Sequence, residues 1–249
     1  HLRGRMSDYA LIVLPETDRL EPDFKQRLLQ YVRNGGSLLL IGPRPVKAFG
    51  RELEVSLDDA HASAPFWLEW NGALTPVSGI PVNVPHCPNG QPYGKLHVAN
   101  EITSPHIPAG CIWRLGRGKI GATWFDFSRN YLESGSTTAR QFLAGMTREL
   151  FPEPLIEVEG SHAVDVVIAK LDGRVTVNLV NTSGPHATEP VFDAVPPLGE
   201  LVISVRYKHR PERVTLEPGG KQLSFEHRDG IVRVTLPQLD LHNVLVIHP

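Results

Sequence analysis

The chain has 249 residues, 41% of them hydrophobic and 21% charged, the composition of an ordinary globular protein large enough for one to two domains around a sizeable core. Twenty-five basic side chains against 27 acidic ones leave a net charge of -2 with no lysine-arginine block, which argues against a nucleic-acid partner. The longest apolar run, Ala10 to Leu14, is far short of the roughly 20 residues a bilayer-crossing helix needs.

In chain order, Tyr9 to Leu14 is rich in branched apolar side chains and predicts a strand buried on both faces of a parallel sheet, ended by Pro15. Pro22 then suits a first helical turn, and Phe24, Leu28, Leu29 and Val32 recur at helical spacing. Asn34-Gly35-Gly36 stops that helix, and Ser37 to Ile41 follows as a second buried strand. Strand, helix and strand together predict a right-handed crossover in a parallel sheet.

From Gly42 to Gly110 the pattern turns irregular and proline-rich, with short alternating stretches at Gly79 to Val84 and Lys95 to Val98, and predicts an insertion of loops and small strands. Cys111 to Leu115 and Lys119 to Phe127 predict a hairpin around Gly116-Arg117-Gly118. Thr137 to Leu150 predicts a helix with a stripe of Phe142, Met146 and Leu150, ended by Phe151-Pro152-Glu153-Pro154.

Beyond Leu155 nearly everything alternates. Val164 to Leu171 and Val175 to Val180 predict a hairpin around Asp172-Gly173. Leu201 to Val205, Arg213 to Leu216, Gln222 to Glu226, Ile231 to Leu236 and Asn243 to Ile247 continue the series, with turns at Pro218-Gly219-Gly220 and Asp229-Gly230. Such spacing predicts an antiparallel sandwich or barrel. The division is therefore an α/β domain over 1–154 and an all-β domain over 155–249. Since only one crossover unit is visible and His1 to Arg5 lacks an initiator methionine, the α/β domain is expected to have lost its amino-terminal portion, and the chain to be a fragment of a longer polypeptide.

Candidate chemistry is sparse. Glu16 follows the first buried strand directly, where open α/β sheets place ligand groups, and Asp18 is close in sequence; a polar connection or cap before the helix is the plainer account of both. Asp58, Asp59 and His61, or His86 with Cys87, have side chains that ligate metals, but no metal-specific spacing accompanies them, and neither metal nor cofactor is expected. After Ile41 the chain reads Gly42-Pro43-Arg44-Pro45, with no serine or cysteine where a nucleophile elbow would stand. Cys87 and Cys111 are too few for a disulfide scaffold; a single bridge between them stays open. Asn181-Thr182-Ser183 matches a glycosylation sequon. Trp113 and Trp124 fall within strand patterns and predict core positions, whereas Trp67, Trp70 and Tyr93 suit a surface that stacks on sugar rings.

The segment SDYALIVLPETDRLEPDFKQRLLQYVRNGGSLLLIGP resembles the β-galactosidase trimerisation domain, a class I glutamine amidotransferase-like module that follows the catalytic barrel in several bacterial glycoside hydrolases. The likeness rests on Asp8 and Tyr9, the strand ending at Pro15 and Glu16, the amphipathic helix and Asn34-Gly35-Gly36. GRGKIGATWFDFSRNYLESGSTTARQFLAGMTREL is similar to the module's last strands and closing helix, and HAVDVVIAKLDGRVTVNLVNTSG to the start of the β-domain that commonly follows. The resemblance implies a flavodoxin-like, amidotransferase-like fold truncated at its amino terminus, the loss of the module's nucleophile, and catalytic glutamates that reside in a barrel elsewhere. The expected function is accordingly the non-catalytic oligomerisation and support region of a glycoside hydrolase-like protein acting on carbohydrate. Its expected partners are copies of itself or an upstream catalytic barrel, with no membrane or nucleic acid, and no compartment is legible beyond a leaning to the cytoplasm. Two alternatives stay open: a carbohydrate-binding module in which Trp67, Trp70 or Tyr93 stacks on a glycan beside Asp58, Asp59 or His61, and a free-standing hydrolase using Glu16 and Asp126.

Overall fold

The first apolar run forms strand β1 (Leu11–Pro15), and the amphipathic segment after it helix α1 (Pro22–Arg33), in a computed structural model that describes residues 4–17, 19–57, 65–80, 87–184 and 194–249. Strand β2 (Ser37–Ile41) runs parallel to β1, and all five of its residues are buried. The expectation of burial on both faces thus holds for β2 but fails for β1. Strand β1 is the edge of its sheet; Ile12 is buried, whereas Val13 is 42% exposed. The hydroxyl of Tyr31 on α1 donates to the carbonyls of Tyr9 (2.9 Å) and Ser37 (3.2 Å), clamping the helix over the start of both strands.

The proline-rich stretch after Gly42 contains small strands, as expected, and they lie in one sheet with β1 and β2. It forms helices α2 (Pro43–Ala48) and α3 (Gly50–Leu53) and strands β3 (Phe66–Trp70), β4 (Ala73–Val77), β5 (Gln91–His97) and β6 (His106–Leu115), which extend the same sheet. With β7 (Gly118–Thr123) the strand order is β1-β2-β7-β6-β5-β3-β4. Strands β1, β2 and β7 are parallel, and every pairing from β7 to β4 is antiparallel. The strand signal was masked because β4, β5 and β6 carry Pro76, Pro92 and Pro108, and β4 tolerates its proline as an edge strand. The expected strand at Gly79 to Val84 is absent at Gly79 and Ile80, and its remainder lies outside the described residues.

Strand β7 ends at Thr123, four residues short of the expected Phe127, which instead opens helix α4 (Phe127–Ser134). Helix α5 (Thr137–Leu150) starts at Ser136, whose Oγ accepts the Ala139 N–H at 3.2 Å, a side-chain cap that satisfies an otherwise orphaned donor. Its buried stripe is Ala139, Phe142, Met146 and Leu150. Alternate residues of a strand face opposite ways. Gly118 lies against Val32 of α1 and Gly121 against Met146 and Leu150 of α5, so helices cover both faces of the parallel part.

The chain divides into two compact units, His1–Glu153 and Pro154–Pro249. The second unit contains β8 (Ile156–Glu159), β9 (Val164–Leu171), β10 (Arg174–Asn181), β11 (Leu201–Arg206), β12 (Arg213–Glu217), β13 (Lys221–Leu223), β14 (Glu226–Arg228), β15 (Ile231–Leu236) and β16 (His242–His248). They make two antiparallel sheets, β13-β12-β16-β10-β9 and β14-β15-β11-β8. Val177, Val214, Leu245 and Ile247 of the first pack with Ile203, Val205, Val232 and Val234 of the second in one core. At both aspartate-glycine turns, Asp172-Gly173 and Asp229-Gly230, the two residues have positive φ, the backbone of a tight two-residue hairpin. The single strand expected over Gln222 to Glu226 is broken at Ser224 and Phe225 into β13 and β14, which belong to different sheets. No helix among the described residues is long and apolar enough to cross a membrane.

Candidate functional site

At the carboxyl ends of the parallel strands, Glu16 follows β1 with φ 45°, a left-handed conformation that costs a non-glycine residue roughly 1–2 kcal/mol. Its N–H donates to the Ile41 carbonyl at 2.8 Å, and its side chain is turned over Gly42. Gly42, at φ 90°, donates its own N–H to Oγ1 of buried Thr123 at 3.1 Å, and a Cβ at this position would overlap the Glu16 carboxylate.

Oε1 of Glu16 accepts the N–H of Ser128, in the first turn of α4, at 3.3 Å. Asp126 is the N-cap residue of α4, yet its side chain makes no capping bond, and Glu16, at the end of a strand two places from β7 in the sheet, supplies an acceptor instead. The Asp126 carboxylate sits against Gly79, where a Cβ would overlap it. Asn130 fixes this corner: its Nδ2 donates to the carbonyls of Asp126 (2.6 Å) and Ser78 (3.1 Å), while its Oδ1 accepts the Ser78 N–H at 3.0 Å.

The Glu16 carboxyl is raised above its ordinary value, first by burial and further by the charge of Asp126; the Ser128 hydrogen bonds and the Arg44 guanidinium oppose the rise. Glu16 and Asp126 are therefore brought together, as the hydrolase alternative requires. Chemically, the arrangement is a carboxylate employed as a helix acceptor. The strand-to-helix turn beside it carries Gly42 and Pro43, with neither hydroxyl nor thiol.

The aromatic candidates do not form one platform. Trp70 and Tyr93 lie with centroids 5.0 Å apart and ring planes tilted by 33°, and Phe142 of α5 lies 5.6 Å from the first and 5.5 Å from the second. Both pack over Gly145 of the same helix, and burial together with the charge of Glu149 pushes the Tyr93 phenol up to about 12. Trp67, an odd number of positions from Trp70, faces the other way and pairs across the strands with His97. Trp113 and Trp124 are buried as expected, their indole N–H groups donating to the carbonyls of Pro88 and Pro108 at 2.9 Å each. Asp18, Asp58, Asp59, His61 and His86 lie outside the described residues. Among the described residues, no group of three or more His, Cys, Asp and Glu side chains is arranged to hold a metal ion.

One buried polar cluster was not anticipated. His97 on β5 is fully buried; its Nε2 donates to Oε2 of Glu69 on β3 at 2.8 Å, and its Nδ1 lies 3.1 Å from the Ser104 carbonyl. Lys95 adds a bond to the same Glu69 oxygen at 3.1 Å, and the two donors, His97 foremost, hold the Glu69 carboxyl below its usual range. The only signal in the sequence was Glu69, Lys95 and His97 at alternate positions of otherwise apolar stretches. The sequon asparagine is likewise engaged: Asn181 Nδ2 donates to the carbonyls of Pro196 (2.9 Å) and Asp240 (2.6 Å), and its Oδ1 accepts from Ser183.

No protein-family model matches the sequence, and no curated protein matches it. Solved structures do. An α-L-fucosidase isoenzyme 2 from Paenibacillus thiaminolyticus superposes with a TM-score of 0.74 at 15% identity, over 97% of this chain and 41% of the fucosidase. A β-galactosidase from Bacillus circulans sp. alkalophilus gives 0.58 at 15% identity, over 97% of this chain and 33% of that one. A catalytic mutant of a GH42 β-galactosidase from G. stearothermophilus gives 0.59 at 13%, over 98% and 32%. The chain thus spans less than half the length of these structures, and its fold is similar to a region of glycoside hydrolases.

Proposed function

We propose that this chain is the non-catalytic support region of a glycoside hydrolase-like protein, made of a flavodoxin-like and amidotransferase-like domain over 1–154 and a β-sandwich domain over 155–249. The observation that carries the reading is the fold likeness to the fucosidase, which runs through 97% of this chain and takes up 41% of the longer enzyme. Two features of the chain favour it. The strand-to-helix turn after β2 has a glycine and a proline where an amidotransferase would hold its nucleophile, and the Glu16 carboxylate beside it serves as a helix acceptor. The work left to such a region is assembly, through contacts with further copies or with a catalytic barrel, whose substrate is a carbohydrate.

Two measurements on the purified chain test this. Aryl fucosides and aryl galactosides should be left uncleaved, and light scattering should show a mass above that of one chain. Turnover that disappears in Glu16→Gln would replace the reading with the hydrolase alternative, and a strict monomer, alone and in the longer protein, would remove the assembly role.

A further inference from the structure

Cys87 and Cys111 are both free thiols, and the structure brings them together although 24 positions separate them in the chain. Cys111 is wholly buried on β6, and the Cys87 side chain is close enough to perturb its thiol. Cys87 is only partly buried and donates from Sγ to the carbonyl of Gly110, the residue before Cys111, at 3.6 Å. The turn that carries Cys87 is held in place by other bonds. Gly90 N–H donates to the Cys87 carbonyl at 3.2 Å, Trp113 Nε1 to the Pro88 carbonyl at 2.9 Å, and Asn89 Nδ2 to Glu54 Oε2 at 2.9 Å. Gly90 itself passes so near Cys111 Sγ that a Cβ there would collide with it. The two sulfurs are thus presented to each other by a fixed turn and a core strand, one with access to solvent and one without.

We propose that Cys87 and Cys111 are a redox modification site, joined reversibly in an intramolecular disulfide by exchange with a small-molecule disulfide such as oxidised glutathione. The Cys87 thiolate attacks one sulfur of the reagent, breaks its S–S bond and expels one glutathione thiolate. Cys111 then loses its proton and attacks Cys87 Sγ in the mixed disulfide, expelling the second glutathione. Two protein thiols are oxidised and one small disulfide is reduced to two thiols. The order follows from access, because a reagent reaches the half-buried sulfur first. In the free dithiol the hydrogen bond with Cys87 and then burial hold the Cys111 thiol well above the usual range; in the mixed disulfide the burial remains, which makes Cys111 the slow partner.

The test is to incubate the folded chain with oxidised glutathione and read the intact mass, the peptide map and the number of alkylatable thiols. The expected product has lost two hydrogens, yields a peptide pair linked through Cys87 and Cys111, has no alkylatable thiol and returns to the starting mass with dithiothreitol. Cys111→Ser should stop at a single glutathione adduct on Cys87, and Cys87→Ser should leave Cys111 unmodified until the protein is unfolded in urea. Stable adducts on the wild-type chain without a linked peptide would overturn the proposal. So would two thiols that stay free in the folded chain while the same reagent oxidises them in urea.

Discussion

Oε1 of Glu16, at the end of β1, accepts the N–H of Ser128 in the first turn of α4, 112 positions away, at 3.3 Å. A charged group used this way carries a pH signature with a definite sign. Its folded-state pKa lies above its ordinary 4.5, so the folded chain holds the proton more tightly than the unfolded one. The contribution is complete below that ordinary value and is lost as pH rises through the raised one. Glu16→Gln keeps a carbonyl acceptor without the charge. It is expected to be more stable than wild type near neutral pH and equal to it in acid, as read from urea unfolding at a series of pH values. Parallel profiles for the two proteins would refute the assignment. Glu16→Ala removes the acceptor altogether and should cost about 1 kcal/mol in acid.

Glu69 titrates in the opposite sense. The Glu69 carboxyl is held below its ordinary value by His97 and Lys95, so its contribution is present above the unfolded pKa and is lost as pH falls through the lowered one. Glu69→Gln leaves the buried imidazole without its carboxylate and should destabilise the chain by about 1–3 kcal/mol at neutral pH, with the deficit shrinking in acid. Chemical denaturation at two pH values checks both the size and the sign.

Gly145 sits in the interior of α5, where alanine would ordinarily be worth about 1 kcal/mol more than glycine. Here the added Cβ would stand 2.6 Å from both Trp70 Cζ2 and Tyr93 Oη. Overpacking of this kind costs about 1–3 kcal/mol, so Gly145→Ala should destabilise on balance and shift the tryptophan emission of the native state. A more stable Gly145→Ala protein would show that the two rings move aside freely.

Asn181 reads as a glycosylation acceptor in sequence and is 8% exposed in the fold, with its amide nitrogen donating to two carbonyls at 2.9 Å or less. Chain secreted from a glycosylating host and checked by intact mass should be unmodified at this position. Asn181→Ala should lower stability by about 1–3 kcal/mol, through the carbonyls it strands.

The parts of the fold legible in sequence are those where one signal acts alone. Pro22 and the Phe24 to Val32 stripe delimit α1, Ser37 to Ile41 is β2 to the residue, and the two aspartate-glycine pairs mark hairpins. The middle of the first unit was hidden because Pro76, Pro92 and Pro108 lie inside true strands, where partners across the sheet outweigh local propensity. Strand β8 has only four residues, too few for alternation to stand out. At the site, Glu16 was findable from its place after a strand, whereas Asp126 was read inside an expected strand and its position at the start of α4 was not legible. Nor was the bond to Ser128, because nothing local encodes a helix acceptor supplied from 112 positions away. The same holds for His97 and Glu69, whose contact depends on β3 pairing with β5 across 28 positions.

The close approach of Gly42 to the Glu16 carboxylate also bears on whether a nucleophile could stand at this turn. Writing serine or cysteine at position 42 would drive a side chain into that carboxylate at a backbone angle that side chains rarely adopt. An engineer seeking to place one here would have to remove the acid first and then find α4 a new N-terminal acceptor, so the exchange requires several coordinated codon changes.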